Sequence, residues 1–138
     1  MYNIFLEMDP PTSTSQENKV AIVNGRMMHY KSKGAKQTFS ILAAALKPFT
    51  PPVPFDGPIR VTCCWKFRAS KQHPEGTWKT TRPDVDNLQK ALYDVMTRLG
   101  YWKDDSLICC EIVSKMYSEQ PGIDISIDPC RSDRRDAD

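Results

Sequence analysis

No stretch of this chain approaches 18 consecutive apolar residues, so the sequence predicts no membrane-spanning helix. The opening MYNIFLEMDPP has neither a basic n-region nor a small-residue cleavage site. A signal peptide is therefore not expected, and the cytoplasm is the expected location. The C-x-x-C spacing of zinc sites is missing. The five cysteines fall instead as two adjacent pairs, Cys63-Cys64 and Cys109-Cys110, and a lone Cys130. Neighbours along a strand point to opposite faces, so neither pair is suited to gripping one metal. Reduced thiols are expected, with one member of each pair buried. The two histidines, His29 and His73, are too few and too scattered for histidine-based nuclease chemistry. A Gly-rich phosphate loop is also absent, which argues against a nucleotide phosphohydrolase.

What is present is an ordinary globular composition, 40% hydrophobic and 26% charged, over 138 residues. That length supports one domain with its own core, but not two. The net charge of +2 alone would not suggest nucleic acid, but its distribution is uneven. Arg60, Lys66, Arg68, Lys71, Lys79 and Arg82 fall in one segment with a single acid, Glu75. Lys19, Arg26, Lys31, Lys33 and Lys36 form a second basic segment without any acid. Most charge runs are solvated surface; an acidic focus bordered by basic segments also suits an enzyme that grips phosphates.

The elements follow in a readable order. Tyr2–Met8 is a first strand, closed by Asp9-Pro10-Pro11 and followed by a polar loop over 12–18. Asn24-Gly25, between Ala21–Val23 and Arg26–Tyr30, predicts a hairpin because both turn positions tolerate positive φ. Ala35, Phe39, Leu42, Ala43 and Leu46 mark one helical face that Pro48 ends. Prolines 48, 51, 52, 54 and 58 make a stiff connector rather than a domain boundary. Strands are expected at Pro58–Phe67, Leu107–Tyr117 and Ile123–Ile127, with a turn at Gln120-Pro121-Gly122. The domain thus spans 1–127, and residues 128–138 lack apolar periodicity and are expected to be disordered. The order predicts an α+β fold, one mixed sheet with two helices packed against it.

The most informative stretch reads RPDVDNLQKALYDVMTRLGYWKDD, from Arg82 to Asp105. Pro83 cannot lie inside a helix. Apolar residues at 85, 88, 92, 95, 96 and 99 then repeat at helical spacing, and Gly100 follows as a natural C′ residue. A helix is expected over Asn87–Leu99, with Asp86 as N-cap. Asp84 and Asp86, one residue apart, share a face if that segment is extended. By spacing alone, capping by these acids and solvation of a turn by Asp104 and Asp105 explain the pattern equally well.

The combination DVDNLQKA, a helix, and then GYWKDD resembles the motif of RusA-type Holliday junction resolvases. The likeness is dense over Arg82–Tyr117 and looser elsewhere. It implies a small homodimeric endonuclease that depends on divalent metal, cuts four-way DNA junctions with symmetric nicks, and is often of phage or prophage origin. By match to that pattern, Asp84, Asp86 and Asp105 correspond to the metal-binding carboxylates, Asp104 being the less suited of its pair. Lys90 corresponds to a functional lysine that would hold a phosphate oxygen; its alternative is a surface ion pair with Asp86 or Asp94. Asn87 would orient a carboxylate or only satisfy the helix start. Lys66, Arg68, Lys71, Lys79 and Arg82 are the candidate DNA contacts, and the long Arg68–Arg82 loop is expected to be mobile without DNA. Trp78 in that loop would stack on an opened base or anchor local packing.

The implied chemistry is coherent. Hydrolysing a phosphodiester needs a strong nucleophile and relief of charge on phosphorus, which Mg²⁺, or Mn²⁺ in its place, supplies. Carboxylates converging without a cation repel one another. At ~5 Å and an effective dielectric of ~20, each ionised pair costs roughly 3 kcal/mol. A non-catalytic junction-binding protein is the rival reading, and it would gain nothing from acids facing phosphates.

Overall fold

The strand that ends up at the centre is the one with the strictest alternation. In a computed structural model, which describes residues 1–12, 18–23, 26–31 and 33–131, β4 (Ile59–Arg68) buries Ile59, Val61, Cys63, Trp65 and Phe67 and turns the intervening residues outward. Side chains are described for 1–12, 34 and 36–131. Around β4 lie β1 (Tyr2–Leu6), β5 (Ile108–Ser118) and β6 (Gly122–Pro129), in the sheet order β1-β6-β4-β5. β6 pairs antiparallel with both β1 and β4, whereas β5 runs parallel to β4. The predicted hairpin is formed by β2 (Asn18–Val23) and β3 (Arg26–Lys31), which pair antiparallel as a separate two-stranded sheet. Its turn and the side chains of Met27, Met28 and His29 lie outside the described residues.

Register puts Ile4 opposite Ile125, Val61 opposite Ile127 and Cys63 opposite Ile125, so these apolar residues share one sheet face. Helix α1 (Lys33–Leu46) adds Leu42 and Leu46 to the core, and helix α2 (Val85–Leu99) adds Leu88, Leu92, Val95 and Met96. The other sheet face is polar. There Arg60 pairs with Asp128 at 3.6 Å, Lys66 with Asp124 at 3.1 Å and Arg68 with Asp9 at 3.2 Å. The predicted mixed sheet with two helices is therefore the fold, and no described helix is long and apolar enough to cross a membrane.

Several boundaries differ from the sequence expectation. β6 continues through Asp128 and Pro129, which pair with Arg60 and Ile59, and the Cys130 N–H donates to the Pro58 carbonyl at 2.8 Å. The chain is thus ordered past 127 by sheet pairing; residues 132–138 lie outside the described residues. Pro48 does not follow the first helix but sits in a 3-10 turn, Lys47–Phe49, that extends it. All five cysteines are free thiols. Cys63 is buried and Cys64 half-buried, as expected, but Cys109 and Cys110 are both exposed. A register shift at the start of the β4–β5 ladder and the position of β5 at the sheet edge leave both uncovered.

Candidate active site

Helix α2 is built as its sequence dictates. Its apolar stripe packs on the sheet, and Gly100 stops it at φ +90, where a side chain would be strained. The Tyr101 N–H donates to Met96 O at 3.0 Å and the Gly100 N–H to Thr97 O at 3.1 Å, a Schellman closure. Tyr101 and Trp102 then turn into the core, 0% and 1% exposed, and fix where the chain leaves the helix. The Trp102 indole donates to Thr97 Oγ1 at 2.7 Å. Near the other end, Gln89 of the DNLQK run is buried and accepts from the Trp65 indole at 2.5 Å. It anchors the head of the helix to the central strand.

That head begins two residues earlier than expected. Pro83 is buried behind a cis Arg82–Pro83 peptide, and the Leu88 N–H already bonds to the Asp84 carbonyl at 3.0 Å. Asp84 is therefore the N-cap residue by backbone geometry, although its carboxylate makes no capping hydrogen bond. Asp86 sits in the first helical turn. The extended spacing that would align the two does not apply, but both carboxylates are exposed at the electropositive end of the helix. Lys90 follows Asp86 by four residues, is exposed, and has no ion-pair partner among the described residues.

A lysine missed by the sequence reading holds this corner. Lys115, on the core-facing side of β5, donates to the carbonyls of Thr81 at 2.6 Å and Pro83 at 2.8 Å. The only sequence signal was a charge at an inward position of an apolar strand. The loop from Arg68 to Arg82, expected to be mobile without DNA, is hydrogen-bonded along the same strand. Gly76 N donates to Tyr117 O at 2.9 Å, Tyr117 N to Thr77 O at 2.9 Å, and Lys79 N to Lys115 O at 3.2 Å. His73 stacks on Tyr117 with centroids 4.4 Å apart, and Glu75 accepts from Ser118 and Glu119. Lys79 lies over the rings of Phe67 and Tyr117. Lys71 and Arg82 remain exposed, as does Trp78 at 67%. Lys66 and Arg68 are instead on the polar sheet face, each already paired with an aspartate.

Asp105 stands elsewhere. It opens the 3-10 turn Asp105–Leu107 that leads into β5, beside a cavity of about 280 Å³ lined by Tyr93, Cys109, Cys110 and Glu111. The Tyr93 hydroxyl donates to Glu111 Oε2 at 2.5 Å, and burial, followed by that hydrogen bond, pushes its pKa upward. Asp104 is committed to the turn itself, accepting from both the backbone and the hydroxyl of Ser106. Those hydrogen bonds hold its carboxyl below the usual range, the side-chain bond contributing most.

Within one chain, then, Asp105 does not meet Asp84 and Asp86. Because β4 and β5 are parallel, α2 must run back between them, so the residues before the helix lie at the opposite end from those after it. A 15-residue helix spans about 22 Å. Along β5, the seven residue steps from Ile108 to Lys115 span about 23 Å by strand rise. Among the described residues no three acidic, cysteine or histidine side chains stand together as a metal-holding group. The donors themselves suit a hard cation, being exposed carboxylate oxygens on fixed backbone.

Residues 9–128 match the family model described as endodeoxyribonuclease RusA. The chain belongs to the RusA family. It is 32% identical, over 88% of its own length and 92% of the relative's, to a crossover junction endodeoxyribonuclease of Lactococcus phage r1t. It is 36% identical, over 70% of this chain and 73% of the other, to the uncharacterised protein YqaN of Bacillus subtilis. A crossover junction endodeoxyribonuclease of Escherichia coli is 51% identical across 35 residues, a quarter of this chain. In this RusA-family nuclease the basic residues Lys71, Arg82 and Lys90 are exposed and without an ion-pair partner among the described residues.

Proposed function

We propose that this chain resolves four-way DNA junctions by hydrolysing phosphodiesters symmetrically as a two-fold dimer in the cytoplasm. The observation that carries the reading is the exposed Asp84–Asp86 pair at the head of α2, uncapped and beside the unpaired Lys90, in a chain of the RusA family. Nucleases of this kind generally depend on metal; Mg²⁺, with Mn²⁺ as substitute, fits the oxygen-only donors here. Asp84 and Asp86 would hold it from one subunit. Asp105, at the far end of the same chain, would complete the site of the other subunit, so that each site draws on both chains. When bound, such a cation would neutralise phosphate charge and help orient and acidify an attacking water.

The protein's own residues do the rest. Lys115 and the buried Pro83 fix the backbone that presents Asp84. Lys90 would hold a phosphate oxygen, and Lys71, Lys79 and Arg82 would follow the strand beyond it. A junction has two-fold symmetry, so a dimer with two equivalent sites nicks opposed strands. The test is a nicking assay on junction, linear duplex and mononucleotide substrates, with Mg²⁺ and with excess chelator. The expected result is junction cleavage that chelator abolishes. Undiminished cleavage in chelator would sink the carboxylate-site reading, and cleavage of mononucleotides alone would move the chain to another hydrolase class.

A further inference from the structure

Strand β5 is the outermost strand of its sheet, and only part of its outer edge is covered. The loop hydrogen bonds reveal which residues point their backbone outward, since they are made by Lys115 and Tyr117. Strand geometry repeats every two residues, and no register shift interrupts β5 beyond Cys110. Glu111 and Val113 therefore point their N–H and carbonyl groups outward as well. Neither has a backbone partner on that side among the described residues. Between them Ile112 projects from the polar sheet face, 57% exposed. An open, partly apolar edge of this kind is a template for strand pairing, and soluble proteins usually block it. Here the Gly76–Lys79 segment blocks the C-terminal part of β5 and leaves the part before it open.

We infer that this open stretch of β5 is the dimer interface, paired antiparallel with its own copy about a two-fold axis at Ile112. The inference rests on the proposed dimer and goes beyond it by naming the surface and the register. Antiparallel pairing of identical edges is self-complementary, as a two-fold requires. In this register Glu111 exchanges both backbone hydrogen bonds with the partner's Val113, and Val113 with the partner's Glu111. Ile112 then faces the partner's Ile112 in a narrow, non-hydrogen-bonded pair, with Cα atoms about 4.5 Å apart. The partner's chain runs in the opposite sense along the edge. Its Asp105 end is thereby carried toward the Lys115 end of this chain, where Pro83 and Asp84 open into α2. The sheet's other edge, the five-residue β1, offers no such reversal, because it is separated from β5 by two strands.

The test is cysteine cross-linking in the full chain, with the exposed Cys109 and Cys110 changed to serine. Ile112→Cys in that background is expected to form an interchain disulfide under mild oxidation, since the spacing falls within disulfide geometry. Thr62→Cys is the control: Thr62 neighbours Ile112 on the same face but lies one strand inward. Its copies would be three strand spacings apart, about 14 Å, and should stay unlinked. Ile112→Arg should weaken self-association more than ~tenfold by sedimentation while circular dichroism stays native. A dimeric protein in which Ile112→Cys fails to link, or in which Thr62→Cys links equally well, overturns the interface. So does a monomeric wild type at micromolar concentration, or a folded Ile112→Arg that dimerises normally. Junction cleavage by the wild type reports separately on the resolvase reading, so either idea can fail alone.

Discussion

Asp86→Asn removes one negative charge from the head of α2 while keeping the side chain's size, and the helix start tolerates it because Asp86 makes no cap. The expected outcome is equal or tighter junction binding, since repulsion of phosphates falls, with cleavage reduced by at least about a hundredfold. Gel shift and nicking assays on one preparation measure both, and wild-type cleavage would defeat the mechanism. Asp84→Asn should behave alike. At the other end, Asp104 and Asp105 divide the work: Asp104 is engaged by Ser106, and Asp105 is left facing its cavity. Asp105→Asn is therefore expected to be as inactive as Asp86→Asn, while Asp104→Asn keeps most activity. The reverse pattern would show the wrong acid had been chosen. The Asp104–Ser106 hydrogen bonding has its own pH dependence. The Asp104 carboxyl is held below the usual range, so its stabilising effect is fully present above that range and fades only as pH falls through the lowered value.

Among the elements, α2 was the most legible, because six apolar positions and Gly100 specify its face and its end with little competition. Its start is less legible, because Asp86 looks like a cap whereas the backbone is already helical after Asp84. The hydrogen bonds of the Arg68–Arg82 loop are not legible in the sequence, because their partners are backbone groups of β5, which carry no side-chain signature. Sequence also grouped Lys66 and Arg68 with the loop cations, but strand alternation puts them on the sheet face beside Asp124 and Asp9. This sorts the basic residues by expected effect. Replacing Lys71, Lys79 and Arg82 with Ala should lower junction affinity and reduce the salt slope, by up to ~0.9 for each phosphate no longer neutralised. Replacing Lys66 and Arg68 should change the slope less, because their charges are already balanced. Binding isotherms at several salt concentrations check both, and equal slopes for the two variants would contradict the sorting.

At the scale of the whole molecule, the element order was legible, but the parallel pairing of β4 with β5 was not. That pairing bears directly on the proposed site, because it sends Asp84–Asp86 and Asp105 to opposite ends of one chain. A site shared between subunits has a consequence that a self-contained one lacks. Asp86→Asn and Asp105→Asn homodimers should each be inactive, since every site in them is short of one carboxylate. A mixed dimer is different: one of its sites collects both substitutions, and the other collects neither. Random subunit exchange makes half the dimers mixed, each with one intact site, so about a quarter of all sites should recover. Those dimers would nick one strand of a junction without the paired cut, giving nicked junctions in excess of resolved duplexes on a denaturing gel. If the carboxylates met within one chain, every site in the mixture would still carry a substitution and no activity would return. Mixing the two inactive proteins and following nicking over time distinguishes the arrangements, and a mixture as inert as its components, after subunit exchange has been verified, would rule out the shared site.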